Sequence, residues 1–302
     1  MGGLAFEDAQ AFWSLVERCE DGGVDSLWQS DRLVSQVPYP EALASMAAIA
    51  GATERIKFGM NAVVVGLRDP LVLARQCASI DFLSGGRLLP VFGVGRAKGP
   101  EWAATGRDPA GRGRRADEAL ELISRLWSEE HVRFEGEHFQ YRDACIAPRP
   151  VQQPMPLWIG GSSPAAIRRT ARVGTGWIGG IQTPSQVAPV IAAIREQALA
   201  AGREILADHY GATVPFRLGE ASDPLVERFS HLASRSGSQP GVVVAGDVTA
   251  LIARIAAYRD AGASKFVLIP LARPGQDLMG QVDRVVAEVI PEVQAPAFAE
   301  AS

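Results

Sequence analysis

The feature that most constrains this chain is an alternation of two periods that runs almost from end to end. Segments with apolar residues at helical spacing cover 7–20, 40–52, 70–83, 114–128, 164–173, 184–201, 247–261 and 278–289. Between them lie short apolar runs at 24–28, 56–65, 88–94, 157–159, 176–178, 210–215 and 265–269. The punctuation agrees with this division. Pro70 and Pro164 stand where helices should begin, Asp247 stands at an N-cap, and Gly22-Gly23 and Gly85-Gly86 follow helix ends. The run 56–65 is continuous and β-branched, as a strand covered on both faces requires. Strands that each lead into a helix must pair in parallel, so the expected class is α/β and the expected architecture a (β/α)8 TIM barrel. Only six residues precede the first helix, where a barrel should open on a strand. Either that strand is truncated or the native chain begins upstream of Met1, and the second reading is favoured.

A chain of 302 residues suits one such barrel, so 1–302 is read as a single domain with two insertions. The first, about 130–145, is a hairpin of strands 132–134 and 138–141 turning at Gly136. The second, 219–240, is rich in Ser, Gly and Asp and reads as irregular. A net charge of −4, with no basic run longer than a pair, argues against nucleic acid as a partner. No apolar stretch reaches the ~18 residues of a membrane span, and no basic-then-apolar leader is present, so the expected location is cytoplasmic. Cys19, Cys77 and Cys145 are too widely spaced for a metal or redox motif. Cys19 and Cys77 fall in helical patterns and read as core filler. None of the four histidines has ligand spacing, so no metal is expected, and His131 and His138 are placed on the surface beside the hairpin.

In barrels of this kind the chemistry sits on the loops that leave the C-terminal ends of the strands. Those positions hold Ser30-Asp31-Arg32, Asn61-Ala62-Val63, Gly93-Val94-Gly95-Arg96, Gly160-Gly161-Ser162-Ser163 and Gly179-Gly180. Glycine lets a backbone approach a ligand, and amides opening a helix suit a phosphate, to which Arg96 adds a guanidinium fork. Any one of these glycine pairs could serve a turn alone; their recurrence at one rim carries the site. Asp31 equally fits a helix cap or a partner for Arg32. Trp102 either lines a pocket or packs in the core, and His209, beside a late strand, is an acid–base candidate. The spacing Gly93, Gly95, Gly99 is not a dinucleotide fingerprint, because it lies in a late strand unit and Pro100 follows it.

Several stretches resemble the bacterial-luciferase-like family of flavin and deazaflavin oxidoreductases. They are residues 27–32, Ala52-Thr53-Glu54-Arg55-Ile56, Asp69-Pro70, Asp81-Phe82-Leu83-Ser84-Gly85-Gly86-Arg87, Gly93-Val94-Gly95, Pro148-Arg149-Pro150, Trp158-Ile159-Gly160-Gly161 and Gly174-Thr175-Gly176-Trp177. The resemblance implies a (β/α)8 barrel holding FMN or coenzyme F420 at its C-terminal rim. It further implies a non-prolyl cis peptide at Asn61–Ala62 beneath the ring, Asp31 beside the ring, and a phosphate on 160–163. Arg96 matches a phosphate-binding arginine of FMN-dependent members, whereas deazaflavin members often carry Thr-Gly where this chain has Arg96-Ala97. Deazaflavin-dependent sugar-phosphate dehydrogenases carry His and Glu where this chain has Arg32 and Lys98.

The resulting expectation is a monooxygenase that uses reduced FMN and oxygen on a small organic substrate. Arg96, Ser162 and Ser163 would hold the phosphate, with Gly93, Gly95, Gly160, Gly161 and Gly179 against the cofactor and Asn61–Ala62 beneath its ring. Asp31 and Arg32 would face the reacting side. An F420-dependent hydride-transfer oxidoreductase is the alternative, and a non-catalytic flavin-binding relative the third. A homodimer and a separate flavin reductase are the implied partners.

Overall fold

A computed structural model describes residues 4–235 and 237–294. The elements run α1 (Ala9–Asp21), β1 (Ser26–Gln29), α2 (Ala42–Ala52), β2 (Lys57–Val64), α3 (Pro70–Ser84), β3 (Leu88–Gly93), α4 (Pro100–Ala104), α5 (Arg112–Ser128), β4 (Val132–Glu135) and β5 (Gln140–Ala144). They continue with β6 (Trp158–Gly160), α6 (Pro164–Val173), β7 (Gly176–Ile181), α7 (Pro184–Ala200), β8 (Tyr210–Leu218), α8 (Pro224–Arg235), β9 (Val244–Gly246), α9 (Val248–Asp260), β10 (Lys265–Pro270), α10 (Gln276–Arg284) and α11 (Ile290–Val293). A 3-10 turn, Val65–Leu67, links β2 to α3, and a π-helical turn, Val285–Val289, follows α10. No strand precedes α1 among the described residues; Leu4 and Phe6 are buried without joining a sheet.

Contacts divide the chain into two compact units interleaved in sequence. The first holds 26–178 and 193–206, and the second holds 4–25, 179–192 and the chain from 207 onward. In the first unit the parallel order is β1-β2-β3-β6-β7, with Leu27 opposite Phe58, Phe58 opposite Leu88, Phe92 opposite Ile159 and Ile159 opposite Trp177. The register of β2 on β3 shifts between Met60 and Val63. In the second unit β8 pairs in parallel with both β9 and β10. The β4–β5 hairpin is antiparallel and separate.

The first unit is held by apolar burial along the strands and one face of each helix. Phe58, Met60, Val63, Leu88, Val91, Phe92 and Trp177 are all but inaccessible, as are Leu73, Ala74, Cys77 and Ala78 on α3. Two of the stretches that carried the resemblance, 81–87 and 174–177, supply three structural fasteners. Arg87 donates to the carbonyls of Ala50, Thr53, Ile56 and Ser84 and to Thr53 Oγ1, so it ties the end of α2 to the entry of β3. Asp81, with no exposed surface, accepts from the Val151 and Gln152 amides and from Gln152 Nε2, which fixes the Pro-rich connector. Thr175 Oγ1 accepts from the Leu157 amide at the start of β6. Each satisfies buried polar groups that would otherwise be orphaned.

The structure corrects the reading of 219–240 as irregular. Pro224–Arg235 is a helix, opened by Asp223, whose carboxylate accepts from the Leu225 amide. Its apolar face is Leu225, Val226, Phe229 and Ala233, a helical spacing masked by the surrounding Ser, Asp, Arg and His residues. Strand β9 was likewise hidden, because three residues are too few for a periodic signal. Cys19 and Cys77 are buried, as expected of core filler, and burial pushes their thiols up to about 11 and about 12.

Candidate functional site

The site is assembled in the first unit from the C-terminal ends of β1, β2, β3 and β6. The Asn61–Ala62 peptide on β2 is cis, as the resemblance implied. Ala62 lies between two glycines of other strands. A Cβ built on Gly93 would stand 3.4 Å from Ala62 Cβ, and one built on Gly160 would stand at the same 3.4 Å. Three strand ends therefore meet at one methyl group, and two of them bring no side chain. The four residues Asn61, Ala62, Gly93 and Gly160 are all partly accessible, although the strands beneath them are sealed. The result is a flat floor of backbone and one methyl, a shape that fits one face of a planar ring system.

Arg96 and the 160–163 loop leave neighbouring strands, since Phe92 is opposite Ile159. Gly95 is left-handed, with φ +69°, and its position is crowded by Val64 and Trp102. Gly161 has φ +102°, and its carbonyl accepts from Trp177 Nε1 at 2.7 Å, which clamps the loop to β7. Ser163 is the N-cap of α6, with its Oγ accepting from the Ala166 amide at 3.2 Å. That hydroxyl is thus committed as an acceptor and keeps its proton to donate. Pro164 has no N–H, so Ala165 is the first-turn amide left to meet an anion. Arg96 is exposed at this rim and Ser162 is half-buried.

Asp31 stands elsewhere than either simple alternative placed it. It neither caps a helix nor pairs with Arg32. Its carboxylate receives both arms of Arg68, Nη1 at 2.6 Å and Nη2 at 2.8 Å, and the Val64 amide at 2.9 Å. Its side chain is 1% exposed. Arg68 Nη2 also reaches Glu41 Oε1 at 2.8 Å, and Glu41 caps α2 through the Ala44 amide. Burial alone would lower the Arg68 guanidinium, but its hydrogen bonds to Asp31 and Glu41 outweigh that and raise it further. Arg32 is exposed. Near it the Tyr39 hydroxyl, buried beside Ser35, is pushed up by that burial within the field of Arg32, Asp31 and Glu101.

Other expected positions serve differently. Trp102 is a brace rather than a pocket wall: it is 4% exposed, packs against Gly66 and Gly95, and donates from Nε1 to the Arg96 carbonyl at 2.7 Å. His209 precedes Tyr210, at the N-terminal end of β8 and so at the opposite end of that strand from its rim. Adjacency to a strand in the sequence carries no direction. Gly179 is buried in the second unit, its carbonyl accepting from Thr213 Oγ1. His131 is exposed and pairs with Asp143, but His138 is half-buried rather than on the surface. The hairpin turn brings Glu118, Glu137 and His138 within 4.8 Å of one another, a grouping invisible to sequence spacing. Glu118 already accepts the amides of Glu137, His138 and Phe139, which makes it the fastener of the hairpin to α5. The residues missed at the rim are Arg68, Glu41, Tyr39 and Arg112, whose Nε donates to the Gly95 carbonyl at 3.3 Å. No local motif marks any of them; only the fold brings them to the rim.

The profile of the family described as luciferase-like monooxygenase matches residues 2–265. An F420-dependent glucose-6-phosphate dehydrogenase of Kineococcus radiotolerans is 29% identical, across 91% of this chain and 90% of its own. A protein of the same description from Amycolatopsis mediterranei is 35% identical, over 53% of this chain and 50% of its own. Among solved structures, an F420-dependent secondary alcohol dehydrogenase aligns with a TM-score of 0.81 at 21% identity, covering 97% of this chain and 98% of that one. The monooxygenase RslO1 of Streptomyces bottropensis aligns at 0.78 and 21%, covering 93% and 92%. These likenesses give the fold class, the luciferase-like (β/α)8 barrel. No described helix is long and apolar enough to cross a membrane.

Proposed function

Because the chain belongs to the luciferase-like monooxygenase family, a family of oxidoreductases, we propose that it is a coenzyme F420-dependent oxidoreductase acting on a small carbonyl, alcohol or unsaturated substrate. This reverses the order in which the sequence placed the two cofactors. The Arg96 match had favoured FMN, whereas the relatives aligned at 29–36% identity that carry an activity in their names are F420-dependent. The observation that carries the reading is the bare floor of Ala62, Gly93 and Gly160, which suits a deazaflavin ring, beside the anion-seeking loop 160–163. When bound, the deazaflavin supplies a two-electron hydride carrier that does not require oxygen; the protein supplies place and orientation.

The floor would orient the ring. Ala165 N–H, the hydroxyl protons of Ser162 and Ser163, and the guanidinium groups of Arg96 and Arg112 would hold the anionic tail. Trp102 and Trp177 stiffen the two loops from behind through their indole N–H groups. Asp31 is saturated by three donors and buried, so it orients backbone rather than moving protons. Arg32, exposed on the loop after β1, is a donor of that loop open to a substrate oxygen. Glucose 6-phosphate is not the proposed substrate, because the His and Glu of such dehydrogenases are replaced by Arg32 and Lys98.

The test is binding of F420 and of FMN to the purified chain, each followed by fluorescence. Micromolar or tighter F420 with much weaker FMN supports the proposal. The reverse preference, with oxygen consumed when reduced FMN is supplied, restores the second reading, for which Arg96 is the specific observation.

A further inference from the structure

We propose that Arg68 is the positioning residue of this site, clamping three chain segments so that the Asn61–Ala62 floor keeps its shape; the inference rests on the reading of that floor as the cofactor's seat. The geometry begins with connectivity. Arg68 follows the 3-10 turn Val65–Leu67, its amide donating to the Val65 carbonyl, and Asp69 after it caps α3 through the Leu71 and Val72 amides. The Arg68 backbone is therefore fixed on both sides, and its side chain, 12% exposed, turns towards the ends of β1 and α2. One guanidinium then engages two carboxylates at once. Both of its terminal nitrogens bind Asp31, from the β1 loop, and Nη2 also binds Glu41, the cap of α2.

What makes this more than a surface ion pair is the third contact of Asp31. Its Oδ2, already held by Arg68, accepts the Val64 amide, two residues past Ala62. In this part of β2 the register against β3 shifts between Met60 and Val63, so the ladder is interrupted where the floor lies. A side-chain acceptor that takes the Val64 N–H restores a fixed point just beyond that interruption. Lysine could not replace the fork, because a single ammonium lacks the planar pair of donors that meets both Asp31 oxygens. Glu41 and Asp31 sit ten residues apart, and the exposed segment 32–38 between them carries Leu33, Val34 and Val37. Arg68 holds both ends of that segment.

The test uses the full-length chain and the variants Arg68→Gln and Arg68→Lys, with two readouts. The first is amide hydrogen exchange of the apoprotein, resolved at Val64 and compared with amides of the β4–β5 hairpin. The second is the Kd for F420 and for FMN, measured where each variant is folded by circular dichroism. Positioning predicts that Val64 exchange accelerates at least 30-fold in Arg68→Gln while hairpin amides stay within 3-fold. It also predicts that the Kd for the cofactor that the wild type binds rises at least 30-fold, with Arg68→Lys recovering only part of it. Wild-type exchange at Val64 in a folded variant overturns the proposal. Uniform acceleration across both regions also overturns it, because that is the signature of a merely stabilising ion pair. A wild-type chain that binds neither cofactor refutes the cofactor reading, and the Val64 exchange result still decides whether Arg68 clamps the strand.

Discussion

Substitution of Gly160 by valine probes the floor most directly. The ideal Cβ at this position already lies 3.4 Å from Ala62 Cβ, 3.7 Å from the Phe92 carbonyl oxygen and 3.7 Å from Val91 Cγ1. The Cβ itself can be accommodated, but its two methyl groups cannot point back into those neighbours. They project above the floor, into the space where a ring would rest. Residual crowding costs the fold about 1–2 kcal/mol, as for other small overpackings. The effect on binding is larger. A tricyclic ring resting on the floor covers roughly 100 Å² of apolar surface, worth about 2.5 kcal/mol at the usual area coefficient. Lifting the ring by a methyl thickness forfeits most of that, because a gap of even ~1 Å removes up to half of a dispersion well. The expected result is a Kd about 10- to 40-fold weaker for F420, with a melting temperature only a few degrees lower. Gly93→Ala, which adds one methyl at the same 3.4 Å from Ala62, should weaken binding less. Fluorescence titration and thermal melts measure both quantities. A folded Gly160→Val protein with unchanged affinity refutes the placement of the ring, whichever cofactor is used.

Arg112→Ala should weaken cofactor binding several-fold while sparing the fold, since its Nε bond to the Gly95 carbonyl is long at 3.3 Å and partly accessible; titration against increasing salt should show a shallower dependence than in wild type. Asp81→Ala removes a buried acceptor of three donors and should destabilise the protein by about 3–5 kcal/mol, lowering the melting temperature by roughly 10 °C, with cofactor affinity unchanged in the folded fraction. Native thiol titration with a disulfide reagent at pH 8 should label Cys145 alone, because burial raises Cys19 to about 11 and Cys77 to about 12. The same shifts set a sign for stability: both thiols stay protonated in the folded state while the unfolded chain ionises near its ordinary value of 9.0. Their contribution is complete below pH 9 and is lost as pH rises towards 11–12, which a denaturation series across that range would show.

The alternation of periods was enough to place nearly every helix and strand, because burial on one face of a helix or both faces of a strand leaves a repeated apolar mark. It failed where that mark was short or diluted. Strand β9 has three residues, and the helix that Pro224 opens carries two serines, His231, Glu227, Arg228 and Arg235 among its five apolar residues. Asn61, Ala62, Gly93 and Gly160, which the fold brings together, were legible because small residues at strand ends stand out. Asp31 was legible as a residue but not as a role. Its partner Arg68 lies 37 positions away, and nothing about an arginine before Asp69-Pro70 announces which carboxylate it will meet. His209 shows the same limit from the other side, since proximity to a strand in sequence does not say which end of the strand.

The stretches that identify the family are, for the most part, not those that select the chemistry. Arg87, Asp81 and Thr175 fasten helix ends, the connector and strand entries through buried hydrogen bonds, and each would be needed whatever ring the barrel held. Such fasteners tolerate little change, because removing one partner strands the others in a dry interior. On the proposed reading the cofactor would be chosen instead by rim groups, the exposed Arg96, Ala97 and Lys98 and the half-buried Arg112. A family with a stringent frame and a permissive rim will therefore be recognised easily and assigned slowly. The match across residues 2–265 belongs to the frame, and the choice of cofactor belongs to the rim. The two can be separated only by perturbing the rim while the frame is left untouched: exchanging Arg96-Ala97 for the Thr-Gly of deazaflavin members should alter the ratio of F420 to FMN affinity without moving the melting temperature.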